Sequence, residues 1–205
     1  MTETIVQPAE QLAQEPGQTR RDQILAVAGD LFLRHGITHV TTRQIAQAVG
    51  ISQPSLYAHF RTRESIAVEF CQRVFVALGE RLAAAGAADG DPPARFRRMG
   101  HVYIEFGLNQ EAAYRVAFLM DMPEHSAADR EAVVVAGVGA FAVLRALIAE
   151  THPDPDMVAQ SAWAGLHGLV ALLLARREFP WAARAQLISH HVEGQCAAVY
   201  GLPGR

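Results

Sequence analysis

The 205-residue sequence contains no lysine, so all 18 of its basic residues are arginine. A GC-rich coding sequence accounts for that bias, and we attach no function to it. Cysteine is nearly absent as well. Cys71 and Cys196 lie far apart, match no metal-ligand spacing and fall within helical patterns. They read as two buried thiols in a reducing compartment, which argues against a disulfide scaffold or a zinc site. Long apolar runs are missing: the longest uncharged apolar stretch, AWAGLHGLVALLLA over 162–175, falls short of the roughly 18 to 20 residues that cross a bilayer. Residues 1–18 hold three glutamates and two prolines but no basic residue and no apolar run. That composition fits neither a secretory signal nor a transit peptide and reads as a disordered tail. The expectation is a soluble, cytoplasmic chain with no membrane partner.

Two further absences narrow the function. No run alternates with period two for long enough to predict a sheet, and neither a nucleophile motif nor a glycine-rich phosphate loop occurs. Catalysis and a cofactor are therefore not expected. A net charge of -3 would also argue against nucleic acid, but the charge is uneven. Residues 19–63 carry Arg20, Arg21, Arg34, Arg43, Arg61 and Arg63 against Asp22 and Asp30, a net +4, which leaves -7 for the remainder.

What is present is helical periodicity. Ile24, Leu25, Ala28, Leu31 and Phe32 make one apolar stripe, with Thr19 as N-cap and Gly36 as the stop. After the extended link ITHV, Thr41 caps a short second helix, TRQIAQAVG, ended by Gly50. A third follows within ISQPSLYAHF, capped by Ser52, with Pro54 in the first turn, where no amide hydrogen is needed. Leu56 and Phe60 supply its buried side. A helix, a tight turn and a second short helix form the unit whose second member can enter the DNA major groove. Gln53 suits adenine, Ser55 suits several bases and Pro54 a thymine methyl, each good contact discriminating by roughly 1 to 3 kcal/mol. Tyr57, His59, Thr41, Thr42, Arg43 and Arg63 suit phosphates, which position without reading sequence. The plain alternative for all of them is a solvated helix face.

From Arg20 to Phe70 the order of residues resembles the N-terminal domain of the TetR family of bacterial transcription regulators. The match rests on Ile24-Leu25, Leu31-Phe32 before glycine, Thr41 opening the second helix, Ile45-Ala46, Gly50-Ile51-Ser52 and Leu56-Tyr57-Ala58-His59-Phe60. Ile51 replaces the usual valine, and Arg63 stands where lysine is more frequent. The resemblance implies an all-α fold: a three-helix helix-turn-helix domain followed by a helical bundle. It also implies a homodimer on a palindromic operator in double-stranded DNA, with a small-molecule effector that changes the spacing of the two recognition helices. On that reading residues 1–18 are a tail, 19–64 the DNA-binding domain and 65–205 the ligand-binding and dimerisation domain. NQEAAYRVAFLM (109–120) and AWAGLHGL (162–169) further resemble a C-terminal subgroup with a tryptophan-x-x-x-histidine-glycine motif.

Downstream of a long fourth helix, the pattern predicts helices near 93–107, 110–121, 127–150, 155–178 and 182–200. Small and bulky residues alternate in 155–178, and Leu187, Ile188, Val192 and Val199 form a stripe in 182–200, which suits a dimer seam. Met99, Tyr103, Phe106, Tyr114 and Phe118, with Trp163 and His167, suit an apolar effector pocket, the alternative being an ordinary aromatic core. For His167 the alternative is a structural hydrogen bond. His101 and Glu105, four apart, could share a metal, but no third ligand is specified and none is expected. A small helical metal enzyme using His101, Glu105 and His167 is the competing reading from another class; an activator or a nucleoid-type binder would keep the fold.

Overall fold

Each helix start is set by local chemistry. In this computed structural model, which describes residues 19–120 and 127–201, the Thr19 hydroxyl accepts the Asp22 amide and the Asp22 carboxylate accepts the Thr19 amide. That reciprocal box opens α1 (Arg20–His35). Thr41 and Gln44 open α2 (Thr42–Val49) in the same way. Gly50 closes α2 at φ 76° and ψ 32°, a left-handed conformation that glycine adopts without strain. Ser52 caps α3 (Gln53–Tyr57), with Pro54 in its first turn, and Thr62 caps α4 (Arg63–Ala87). α5 (Pro92–Asn109), α6 (Glu111–Tyr114), α7 (Ala127–Ala149), α8 (Pro155–Ala175) and α9 (Arg184–Tyr200) complete the order, with no strand among the described residues. The all-helical class and the sequence of elements are as predicted. The tail at 1–18 and the separator at 121–126 lie outside the described residues.

Three local differences have physical causes. The link after α1 contains a 3-10 turn, Ile37–His39, which buries Ile37. α3 ends at Tyr57, earlier than the motif suggested, because the His59 and Phe60 amides both turn back onto the Leu56 carbonyl and send Phe60 into the core. The helix predicted at 110–121 changes after α6 into a π-helical turn, Arg115–Leu119. Such turns concentrate at functional sites.

Two hydrophobic clusters meet along α4. Ile66, Ala67, Cys71 and Phe75 belong to the N-terminal cluster with α1–α3, whereas Val74, Leu78 and Leu82 belong to the larger cluster with α5, α7, α8 and α9. The boundary expected at 64–65 therefore falls at the start of a helix that serves both cores. Cys71 and Cys196 are buried and not joined in a disulfide, and burial pushes the Cys71 thiol up to about 12.

The helix faces assigned to a dimer seam need correction. Ile188, Val192 and Val199 of α9, with Leu166, Val170 and Leu173 of α8, are buried in this chain's own core and cannot meet a partner. Their outer faces carry Met157, Ala164 and Leu172 on α8 and Ser189, Gly194 and Ala198 on α9. The reading of no membrane-length segment also fails on composition. By length and composition alone, α7 and α8 are both long and apolar enough to cross a bilayer, because such a window tolerates one or two charges such as Arg145 in α7. Only 22% of the α7 window is buried, with Val134 and Val135 more than half exposed. That leaves an unusually apolar outer surface.

α5 approaches α8 closely at Gly107, where an added Cβ would stand 2.5 Å from Val170 and 3.1 Å from the Tyr114 ring. Both neighbours are fully buried and have nowhere to move. Gly107→Ala is expected to destabilise the fold by about 1–3 kcal/mol, read as a lower urea midpoint at unchanged m-value.

Candidate nucleic-acid interface and ligand cavity

Ile45 and Ala46 of α2 and Leu56 and Phe60 around α3 are buried against α1, which fixes the opposite sides of both helices toward solvent. There the Gln53 carboxamide donates to Tyr57 Oη at 3.3 Å and to Thr42 Oγ1 at 3.4 Å, and Thr42 and Tyr57 lie 3.3 Å apart. Three residues from two helices thus form one polar row, with Tyr57 46% exposed. Arg43, Pro54 and Ser55 are exposed beside it. Ser55 is tied to the Ser52 hydroxyl at 2.8 Å, and Thr41 donates to Gln44 Oε1 at 2.9 Å, so both hydroxyls already serve caps. His59 sits past the end of α3, at the far side from Gln53, where its carbonyl accepts from Arg21.

The arginines divide into two groups. Arg63 donates to the Thr38 carbonyl at 2.7 Å and the Val40 carbonyl at 3.3 Å while pairing with Glu64, so its guanidinium clamps the start of α4 to the link before α2. Arg21 forks onto Glu69 and lies 4.1 Å over the Phe60 ring, and Arg73 bridges Glu69 and Asp22. Hydrogen bonds from Thr19 and then Arg73 hold the Asp22 carboxyl down at about 2, and Arg21 lowers that of Glu69. The exposed guanidiniums on this unit include Arg20, Arg43 and Arg61. Arg61, between Phe60 and the Thr62 cap, was not among the expected contacts.

A cavity of about 870 Å³ opens between α4, α7 and α8. Of the expected residues, Tyr103, Phe118 and Trp163 line it. Tyr114 and His167 stand behind that wall. Met99 packs 3.2 Å from the Cβ position of Gly86, and Phe106 faces Arg81 in a different groove, so neither lines the cavity. The apolar walls come from Phe75, Leu78 and Leu82 on α4 and from Val133, Phe141 and Leu144 on α7. None of these α4 or α7 residues was among the expected pocket residues, and α7 offered no aromatic or polar cluster to mark it.

The aromatic candidates are joined by hydrogen bonds. Trp163 Nε1 donates to Tyr103 Oη at 3.1 Å, the Tyr103 and Tyr114 hydroxyls are 3.0 Å apart, and Tyr114 Oη lies 2.7 Å from His167 Nδ1. Phe118 stacks on the Tyr114 ring with centroids 4.5 Å apart. Burial pushes Tyr103 up to about 12, raises Tyr114 further and lowers His167. The relay is therefore uncharged at neutral pH. Among the described residues that line the cavity, the charged ones are Arg145 and Asp156, which pair with each other. His101 and Glu105 line the separate groove with Arg81 and Arg97, and no three His, Cys, Asp or Glu side chains among the described residues could hold a metal together.

Comparison with known proteins finds two family matches along the chain. Residues 24–70 match the family described as "Bacterial regulatory proteins, tetR family", and residues 96–193 match "Tetracyclin repressor-like, C-terminal domain". The HTH-type transcriptional repressor KstR2 of Rhodococcus jostii is 40% identical over 62 residues, 30% of this chain and 29% of that protein. The HTH-type transcriptional activator FasR of Mycolicibacterium smegmatis is 27% identical over 106 residues, 52% of this chain and 48% of that protein. The chain thus matches about half or less of the length of these curated relatives. The structure of the TetR family regulator PfmR from Thermus thermophilus covers 90% of this chain and 100% of its own at a TM-score of 0.71 and 19% identity, a likeness of fold.

Because burial depresses His167 below the ordinary imidazole value of 6.5, the unfolded chain binds that proton first as pH falls. The stability due to neutral His167 is complete above 6.5 and is lost as pH drops toward the folded value. His167→Gln is expected to flatten, without abolishing, the decline in melting temperature between about pH 7 and 5, since His191 is depressed in the same direction.

Proposed function

The chain belongs to the TetR family of bacterial regulatory proteins, and on that premise we propose that it is a ligand-responsive, DNA-binding transcription regulator, acting as a repressor. The observation that carries the reading is the polar row Thr42, Gln53 and Tyr57, presented by two short helices whose apolar sides are buried. Gln53 at the start of α3 is placed to read base edges, with Pro54 and Ser55 beside it. Thr41, Thr42, Arg43, Tyr57 and His59 hold phosphates, and Arg63 positions α4 and the link against them. A homodimer joined through the outer faces of α8 and α9 would set two recognition helices about 34 Å apart, one turn of DNA or a multiple of it, and call for a palindromic operator. The site of action is the cytoplasm.

The effector occupies the cavity between α4, α7 and α8. Its signal reaches the DNA-binding unit through the π-helical turn, because Phe118 lines the cavity while Val116, two residues earlier, is buried in the N-terminal cluster. Effector and operator then weaken each other's binding by the same factor. We assign the C-terminal half to the tryptophan-x-x-x-histidine-glycine subgroup: Trp163 and His167, one turn apart on α8, hold the two ends of the tyrosine relay. An activator on the same fold is the second reading, favoured by the match to FasR.

Selection from a random duplex library is the test, with enrichment of one inverted repeat expected. Many weak, salt-sensitive sites would instead indicate a nucleoid-type binder. On the selected site, Arg43→Ala is expected to weaken binding to all sequences alike and reduce the salt slope by about 1, whereas Gln53→Ala costs about 1–3 kcal/mol at particular base pairs only. Equal losses for Gln53→Ala on selected and random DNA would remove its base-reading role. A promoter fusion, repressed or activated by the protein, separates the two signs of regulation.

A further inference from the structure

The relay behind the cavity wall limits what the cavity can bind. Trp163 Nε1 can only donate, so Tyr103 Oη accepts from it in every state. His167 is kept neutral by burial, so its Nδ1 either accepts from Tyr114 or, in the other tautomer, donates to it. In the first state Tyr103 donates to Tyr114 and Tyr114 to His167, and the Tyr103 oxygen keeps one lone pair free. In the second the chain reverses: His167 donates to Tyr114, Tyr114 to Tyr103, and the Tyr103 hydroxyl hydrogen is released. Tyr103 and Trp163 are the relay members that line the cavity. Besides the Gln160 carboxamide, which also lines the cavity, the wall therefore offers the Tyr103 hydroxyl as a position that can be acceptor or donor, set among Phe75, Leu78, Phe118 and Phe141. The charges at the mouth, Arg145 and Asp156, already neutralise each other. A charged group carried inward would lose its hydration against walls whose described residues offer no unpaired charge in return.

We propose that the cavity takes an uncharged, largely apolar molecule bearing a hydroxyl or ketone oxygen that meets the Tyr103 hydroxyl, a ligand class that rests on reading the cavity as the effector site. A hydroxyl ligand can meet either state of the relay, and a ketone selects the state that releases the Tyr103 hydrogen. A carboxylate gains one such bond while leaving its charge among apolar walls.

The test uses the full chain and diphenylhexatriene, a fluorescent hydrocarbon with no polar atom, displaced in turn by 2-tridecanone, 2-tridecanol and tridecanoate. The dye should bind wild type and Tyr103→Phe alike. The ketone and the alcohol should displace it at concentrations at least about tenfold below the carboxylate, and Tyr103→Phe should weaken both by about three- to tenfold, the worth of one net hydrogen bond. If Tyr103→Phe does not fold, Trp163→Phe, which frees Tyr103 from its donor, should shift the ketone-to-alcohol ratio while keeping the dye. Failure of the dye to bind wild type overturns the cavity as a ligand site. Dye binding with tridecanoate competing as well as the ketone, or with both variants leaving the oxygenated probes unchanged, overturns only the ligand class.

Discussion

Phe75 of α4 meets Phe118 of the π-helical turn edge-on, with ring centroids 4.8 Å apart, at the place where the two hydrophobic clusters join. Phe75 belongs to the N-terminal cluster yet lines the cavity, and Phe118 packs against both clusters while stacking on Tyr114. No layer of solvent or flexible linker separates the unit bearing α2 and α3 from the unit bearing the cavity. Protein interiors are dense enough that a displaced ring must move its neighbours. Filling the space beside Phe118 is thus also a force on Phe75 and, through Val116, on the core beneath α1–α3. The proposed coupling between ligand and DNA needs nothing beyond this shared packing.

The same economy governs the charges. Surface ion pairs contribute little to stability individually, but those joining α1 to α4 are geometrically restrictive. Arg21 engages both Glu69 oxygens, the His59 carbonyl and the Phe60 ring, and Arg63 reaches two carbonyls of the link before α2. These guanidiniums fix the angle at which α3 leaves the surface. Few remain for phosphates, so a single copy would hold DNA weakly. That is consistent with the proposed dimer, in which two modest interfaces must both fit.

Much of this fold was legible in the sequence because its local signals are self-contained. Thr19, Thr41 and Ser52 cap the helices they were expected to cap, since a cap needs only the three residues after it. The polar side of α3 was legible for the same reason: Leu56 and Phe60 left only one way to turn it. What the pattern could not decide was which of several outward or inward neighbours a residue meets across the fold. Arg63 looked like a phosphate contact until Thr38 and Val40 came within its reach. Met99 and Phe106 shared helical spacing with Tyr103, yet only Tyr103 faces the cavity. Ile188 and Val192 made a stripe equally suited to a partner or to α5, and Gly100, whose Cβ position lies 3.2 Å from Val192, is what drew them inward. Glycine on a neighbouring helix carries no periodic signal of its own.

α7 shows why only part of the cavity was legible in the sequence. Its packing with α4 is the most extensive of any pair of elements, and the two backbones come close at Gly79, where a Cβ would stand 3.4 Å from Ala140 Cα. Small residues pin the helices there. On either side, larger neighbours such as Phe75, Leu82 and Leu144 hold them apart, and the cavity is the space left between. A 25-residue helix rises about 37 Å at 1.5 Å per residue, so α4 runs from the cavity to Arg63 at the edge of the α3 unit. A ligand that parts α4 from α7 around the Gly79 contact would tilt that whole length, and the end that swings is the one Arg63 clamps to the link before α2.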